Sequence, residues 1–312
     1  MSFTGHLRFT PRLLFAFALL SPFLSAPGEP DSSVQTQEAS AQPSSQTSAT
    51  QQLWDRVCTA TLLRSKQKTK PITALDLRLG VLTRGANGSN EIRPRVRWMA
   101  PNFIRIQLSS GVEQARGAEG DWLAEGEEVV RLVGREYSED RRLTDEYLTL
   151  IQNFVALTHP TSMKVENMEI VTKLPFEFPK RHELDRARDR KKITWLRFES
   201  ADLQLAGVEA RGGAPLPKQR VYVAVNTTHD LPIMAYVESG DGQAAPLLLS
   251  LSKTSLLGDL RVPHEIHVYP VLPGGPSSQN RTLIGAAPSQ QLNIHSGTIR
   301  ARLSAKDFQI PK

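Results

Sequence analysis

Beyond residue 70 the chain keeps returning to one pattern: short segments of alternating apolar and polar residues, separated by turn formers. Leu75, Leu77, Leu79 and Val81 alternate with Asp76, Arg78 and Gly80. Val96 and Trp98 alternate with Arg95 and Arg97, and Ile104, Ile106 and Leu108 with Arg105 and Gln107. A period of two gives each strand one apolar and one wet face, as in antiparallel sheets. Gly85-Ala86-Asn87-Gly88 and Pro101-Asn102 supply turns between them. Further candidate strands lie at 128–133, 165–172, 193–199, 221–225, 233–238, 247–251, 265–269 and 299–303, and Gly240-Asp241-Gly242 closes a hairpin. About eleven strands with short links, and no alternating βαβ pattern, argue against a doubly wound parallel sheet. They predict an α+β chain built on an antiparallel sheet.

Two segments depart from that period. Leu53, Trp54, Val57, Cys58, Ala60 and Thr61 recur at helical spacing and predict an amphipathic helix over 51–66, ending before Pro71. Cys58 lies on its apolar face and reads as a small buried hydrophobe rather than a nucleophile. The second helix covers 143–157, with Thr144 as its cap, acids in the first turn and a stop before Pro160. Leu143, Tyr147, Leu150, Ile151, Phe154 and Leu157 form its apolar stripe, widened by Leu148 and Val155. So greasy a helix in a β protein must cover something, either as a permanent plug or as a removable one.

The start of the chain reads as an address. His6, Arg8 and Arg12 precede an apolar run from Leu13 to Leu24, closed by Ser25-Ala26, which predicts a secretory signal peptide over 1–26. The run is too short to span a bilayer, and Pro22 interrupts it. Residues 27–50, rich in Ser, Gln and Thr, have little to bury and predict a disordered linker. The remainder, 51–312, reads as a single domain. A hydrophobic content of 39% suits a folded chain, and Lys+Arg 38 against Asp+Glu 32 is too mild an excess for a dedicated nucleic-acid binder. One cysteine excludes a disulfide framework and multi-cysteine metal sites.

The chain carries no Gly-x-Ser-x-Gly elbow, phosphate loop or dinucleotide fingerprint, so neither catalytic residues nor a cofactor is assigned. His264-Glu265-Ile266-His267 suggests a metal only superficially, because a spacing of three on a strand sends the two rings to opposite faces. The stretch 180–192 is mixed in sign but net basic. It reads as a solvated helix or loop laced with weak ion pairs. Docking to an anionic membrane surface or an envelope protein partner is the alternative. Nucleic acid does not fit an exported chain.

The order of elements resembles the LolA/LolB-like lipoprotein-carrier superfamily of the bacterial envelope: signal peptide, helix, meander, mid-chain helix, meander. Local likenesses are Trp98-Met99-Ala100-Pro101-Asn102-Phe103-Ile104-Arg105, Asp121-Trp122, Asp230-Leu231-Pro232, Val262 to Val268, and the ending Phe308-Gln309-Ile310-Pro311. The resemblance implies a highly curved, incomplete barrel whose N-terminal and mid-chain helices cover an oily concave face. It further implies a soluble, monomeric, non-enzymatic periplasmic or envelope protein that binds lipid or lipoprotein acyl chains. Each buried CH2 contributes about 0.8 kcal/mol, so a dozen methylenes offer about 10 kcal/mol before the work of opening the lid. The candidate lining is Trp98, Ile104 and Ile106 on the sheet with Tyr147, Leu148, Ile151, Phe154 and Val155 on the lid. The arginine that precedes the Pro-Asn turn in such carriers is Ala100 here, leaving Arg97 and Arg105 as candidate lid contacts. A protein-interaction or sensor module on the same fold, and an envelope hydrolase built from scattered residues, are the alternatives. Length beyond the minimal carriers sits at 174–192, 206–219 and 270–291.

Overall fold

Alternation decides which side of each strand meets the helices, and the computed structural model shows the result for residues 45–62, 70–85, 88–134, 137–179, 182, 192–205, 217–240, 244–272 and 282–311. The signal-peptide reading and most of the linker and of the charged stretch 180–192 fall outside these residues.

The first helix, α1 (Ser45–Ala60), begins within the stretch read as linker and ends earlier than expected. Seven strands follow: β1 (Ala74–Gly85), β2 (Gly88–Ile92), β3 (Arg95–Met99), β4 (Phe103–Gln107), β5 (Val112–Gly117), β6 (Gly120–Glu125) and β7 (Glu128–Arg131). The long helix α2 (Ser138–Thr158) precedes β8 (Glu166–Val171), β9 (Phe176–Glu177), β10 (Ile193–Ser200), β11 (Gln219–Asn226), β12 (Leu231–Ser239), β13 (Leu247–Leu257) and β14 (Leu260–Tyr269). The chain closes with β15 (Val271–Leu272), β16 (Thr282–Ile284) and β17 (Gln290–Ile299).

Fourteen strands make one antiparallel sheet in the order β7-β6-β5-β4-β3-β1-β17-β14-β13-β12-β11-β10-β8, with β2 beside β1. Its end strands β7 and β8 are not paired with each other among the described residues, so the sheet does not close into a barrel. It is nevertheless strongly curved. One apolar core joins Val96, Trp98, Ile104 and Ile106 of the first limb to Leu196, Phe198, Val221 and Leu249 of the second, with both helices between the limbs. Trp54 of α1 packs its ring 5.2 Å from that of Phe198. Cys58 is half-buried against the same core, and burial pushes its thiol up to about 12.

The expectation of one wet face per strand fails over the second limb. Tyr222, Ala224, Met234, Tyr236, Leu248 and Tyr269 are buried on the outer side of the sheet, beneath a small three-stranded layer ordered β15-β16-β9. Phe176 is its anchor, with ring centroids 4.4 Å from Tyr236 and 5.6 Å from Trp195. The near-continuous apolar runs of β11 and β12 are thus those of strands buried on both faces. Two of the three segments that lengthen the chain supply this layer.

On the first limb the outer face is covered by the chain's end. Phe308 is fully buried, and its carbonyl accepts a 3.0 Å hydrogen bond from Trp122 Nε1. Arg105 Nη1 donates to the Asp307 carbonyl at 3.0 Å. One strand expectation is corrected: the residues after Ile299 leave the sheet, and the strand is β17, at 290–299. Its Gln, Asn, His, Ser and Gly positions mask the alternation, because Leu292 and Ile294 alone carry its buried face.

Candidate functional site

Tyr147, Leu148, Ile151 and Phe154 all turn into the core that buries Trp98, Ile104 and Ile106, and Val155 packs at its margin. The structure therefore brings the expected lining together from β3, β4 and α2. The interior between sheet and helix is filled by these side chains.

α2 starts at Ser138, earlier than the 143–157 reading, and Thr144 is a buried interior residue instead of a cap. Its hydroxyl accepts a 2.7 Å hydrogen bond from Gln114 Nε2, which also donates to the Asp140 carbonyl at 2.5 Å. Arg116 reaches Asp145 at 2.7 Å while paired with Asp121 on the neighbouring strand. Both side chains rise from β5 on the concave side. The residues expected to hold the lid do other work. Arg97 approaches Asp76 at 3.7 Å, and Arg105 pairs with Glu113 and lies 5.5 Å from the Trp122 ring on the outer face. A strand's side chains alternate, so Arg97 and Arg105 point away from the face on which Trp98 and Ile104 meet the helix.

The other half of α2 bridges the two limbs. Gln152 Nε2 donates to the Pro101 carbonyl at 3.2 Å, on the turn between β3 and β4. Asn153, fully buried, makes a two-way pair with Gln204 beyond β10: its Nδ2 donates to the Gln204 carbonyl at 2.9 Å, and the Gln204 N–H donates to its Oδ1 at 2.8 Å. Nothing in the local sequence announces this pair. The nearest signal is a lone asparagine in an otherwise apolar helical run.

Beside that bridge lies a cavity of about 250 Å³, several times a water's share of liquid volume, about 30 Å³. Trp98, Pro101 and Asn102 form one wall, Gln152, Val155 and Ala156 the helix side, and Ser162, Met163, Ala201, Asp202 and Gln204 the far side. Of the expected lining, Trp98 and Val155 border this open space; the others sit deeper. Two lining residues carry a buried polar atom with no hydrogen-bond partner among the described residues, Trp98 Nε1 and Gln204 Oε1. The Tyr147 hydroxyl, deeper in the core, is in the same condition.

His267 stands with Glu265 and Tyr269 on the outer side of β14, and His264 has the opposite parity. Among the described residues no group of three or more His, Cys, Asp or Glu is placed to hold a metal ion. No helix among them is long and apolar enough to cross a membrane.

No family model matches the chain, and no curated protein matches it. Solved structures do. The chain is similar to a DUF1329 family protein from Desulfovibrio piger, at 11% identity and a TM-score of 0.44, over 83% of this chain and 97% of that one. It is similar to a LolA superfamily protein from Nitrosomonas europaea at 10% identity and a TM-score of 0.42, over 84% and 97% of the two chains. A candidate outer membrane lipoprotein-sorting protein domain from Vibrio parahaemolyticus follows at 10% identity and 0.37, over 76% and 89%.

Proposed function

We propose that this is an exported, soluble protein of the bacterial envelope that binds lipid or lipoprotein acyl chains between α2 and the curved sheet, for carriage or sensing. The observation that carries the reading is the stopper itself: a helix whose apolar face fills the hollow, held to the rims by a few polar bonds, with open space beside it. An acyl chain and the α2 side chains compete for one surface. Affinity is then the burial of methylenes less the work of moving the helix, and handover between proteins follows differences in affinity without nucleotide.

Purified protein examined by native mass spectrometry and by uptake of a fluorescent fatty acid tests this. Bound lipid, or saturable uptake, is expected. Replacing Ile151 or Phe154 with Asp puts an unpaired charge into the core and should abolish uptake by loosening α2. Val155→Trp, at the half-buried margin of the cavity, keeps the core intact and should weaken uptake about tenfold by filling the entry. Ligand-free protein that takes up nothing, or uptake indifferent to all three changes, defeats the proposal and favours an interaction module.

A further inference from the structure

Three polar side chains at the mouth of the cavity have spent their donors and kept acceptors. Gln152 gives its Nε2 hydrogens to the Pro101 carbonyl at 3.2 Å and to Asn102 Oδ1 at 3.4 Å, so its Oε1 is left to accept. Ser162 donates its hydroxyl hydrogen to the His159 carbonyl at 2.8 Å, which leaves lone pairs on Oγ. Asp202 can only accept. Its Oδ2 takes the backbone N–H of Lys164, the neighbour of Met163 in the cavity wall, at 2.7 Å, and no described residue donates to its Oδ1. Asp202 and Ser162 are exposed and Gln152 is half-buried, so a ligand in the cavity can reach them. Asn102 still has an N–H2 to give, but on the wall across from Asp202. Trp98 and Gln204 are buried, and their polar side-chain atoms stay behind this rim.

Charge points the same way. Asp202 is the charged residue in the lining, no lysine or arginine lines the cavity, and among the described residues no cation pairs with it. The acids of α2 that stand nearer the sheet are paired, Asp145 with Arg116 and Glu146 with Arg142. The chain as a whole has Lys+Arg 38 against Asp+Glu 32, so its long-range field favours anions and any preference for a cation here is local.

We infer that the mouth of this cavity receives the primary ammonium head of an amphiphile, its N–H groups donating to Asp202 and to the acceptors that share the mouth, Gln152 Oε1 and Ser162 Oγ. It rests on the acyl-binding reading, with the alkyl part running under α2. A primary ammonium has three donors and no acceptor, the complement of such a rim. A carboxylate or phosphate head meets a like charge and spent donors. The expected preference at equal chain length is ammonium over ester over carboxylate.

Displacement of the uncharged fluorophore N-phenyl-1-naphthylamine at neutral pH tests the order, with dodecylammonium, dodecyltrimethylammonium, methyl dodecanoate and dodecanoate as probes. Dodecylammonium should bind about fivefold more tightly than the methyl ester, as a partly exposed ion pair allows, and dodecanoate more weakly than either. Dodecyltrimethylammonium keeps the charge without an N–H and should fall between the ammonium and the ester. Asp202→Asn should bring the ammonium down to within about twofold of the ester and improve dodecanoate about threefold, opposite movements that a loss of fold cannot produce. An ammonium that binds no better than the ester, or whose advantage survives Asp202→Asn, overturns the inference; displacement by the ester then leaves acyl binding standing. Trimethylammonium binding as tightly as the primary ammonium overturns it as well, because the acceptors would then contribute nothing. Displacement by none of the four defeats both readings.

Discussion

Gly117 shows how much can depend on one missing side chain. A Cβ there would lie 2.6 Å from the carbonyl oxygen of Phe308, a backbone atom that cannot swing aside as a flexible side chain can. The absence of that Cβ lets the chain's end approach the outer face of β5, where Trp122 Nε1 holds the same carbonyl. Asp307 helps to shape the segment by capping Ser304, accepting from its backbone N–H at 2.7 Å. Gly117→Ala should therefore lift the terminal segment and lower stability by about 1–3 kcal/mol. Urea denaturation checks the loss, and hydrogen exchange at 304–309 should rise with it. The same change should leave acyl uptake unaltered, because it acts on the face away from α2.

At the scale of the element, α2 is the piece on which the proposed acyl binding turns. Its apolar face would be at home in a permanently closed core, and its polar contacts make it a bridge. Gln114 and Arg116 hold its first turns to β5, and Asn153 ties its later turns to Gln204 across the mouth. Replacing Asn153 with Leu leaves the Gln204 backbone N–H and carbonyl buried without their partner, at about 1–3 kcal/mol. The expected result is faster amide exchange along α2 and quicker uptake of a fluorescent fatty acid, with little change in exchange in β11 to β13. Protection in α2 equal to the parent's would show that the bridge contributes nothing to closure. The apolar stripe from Leu143 to Leu157 was plain in the sequence, since helical spacing repeats it through four turns. The bridge was not, because Asn153 and Gln204 lie on different elements and only folding brings them together.

At the scale of the whole molecule, the two largest apolar clusters among the described residues share one sheet. The inner core holds both helices, and the outer one is sealed by β9, β15 and β16 around Phe176. These two clusters face opposite sides of β10 to β14, so their stabilities should be nearly independent. Phe176→Ala is expected to cost about 3–5 kcal/mol and to shift the thermal midpoint down. Acyl uptake at a temperature where the variant stays folded should match the parent's. Loss of uptake in folded protein would mean instead that the outer layer sets the curvature the inner face requires.

By itself the sequence determined the antiparallel β character, the helices and which side of β1, β3 and β4 turns inward, because a period of two or of 3.6 is a local property of neighbouring side chains. β5 and β6 were hard to read, since Gln114 and Arg116 spend their inward positions on polar bonds to α2. β9, β15 and β16 were invisible, being two or three residues long with no period to detect. The tertiary structure alone decided that two of the extra segments form an outer layer, that Arg97 and Arg105 face away from the helix, and that Asn153 and Gln204 pair between α2 and the second limb. Those outcomes depend on how far the sheet bends and on which distant residues its bending brings together, and no local pattern of side chains encodes either.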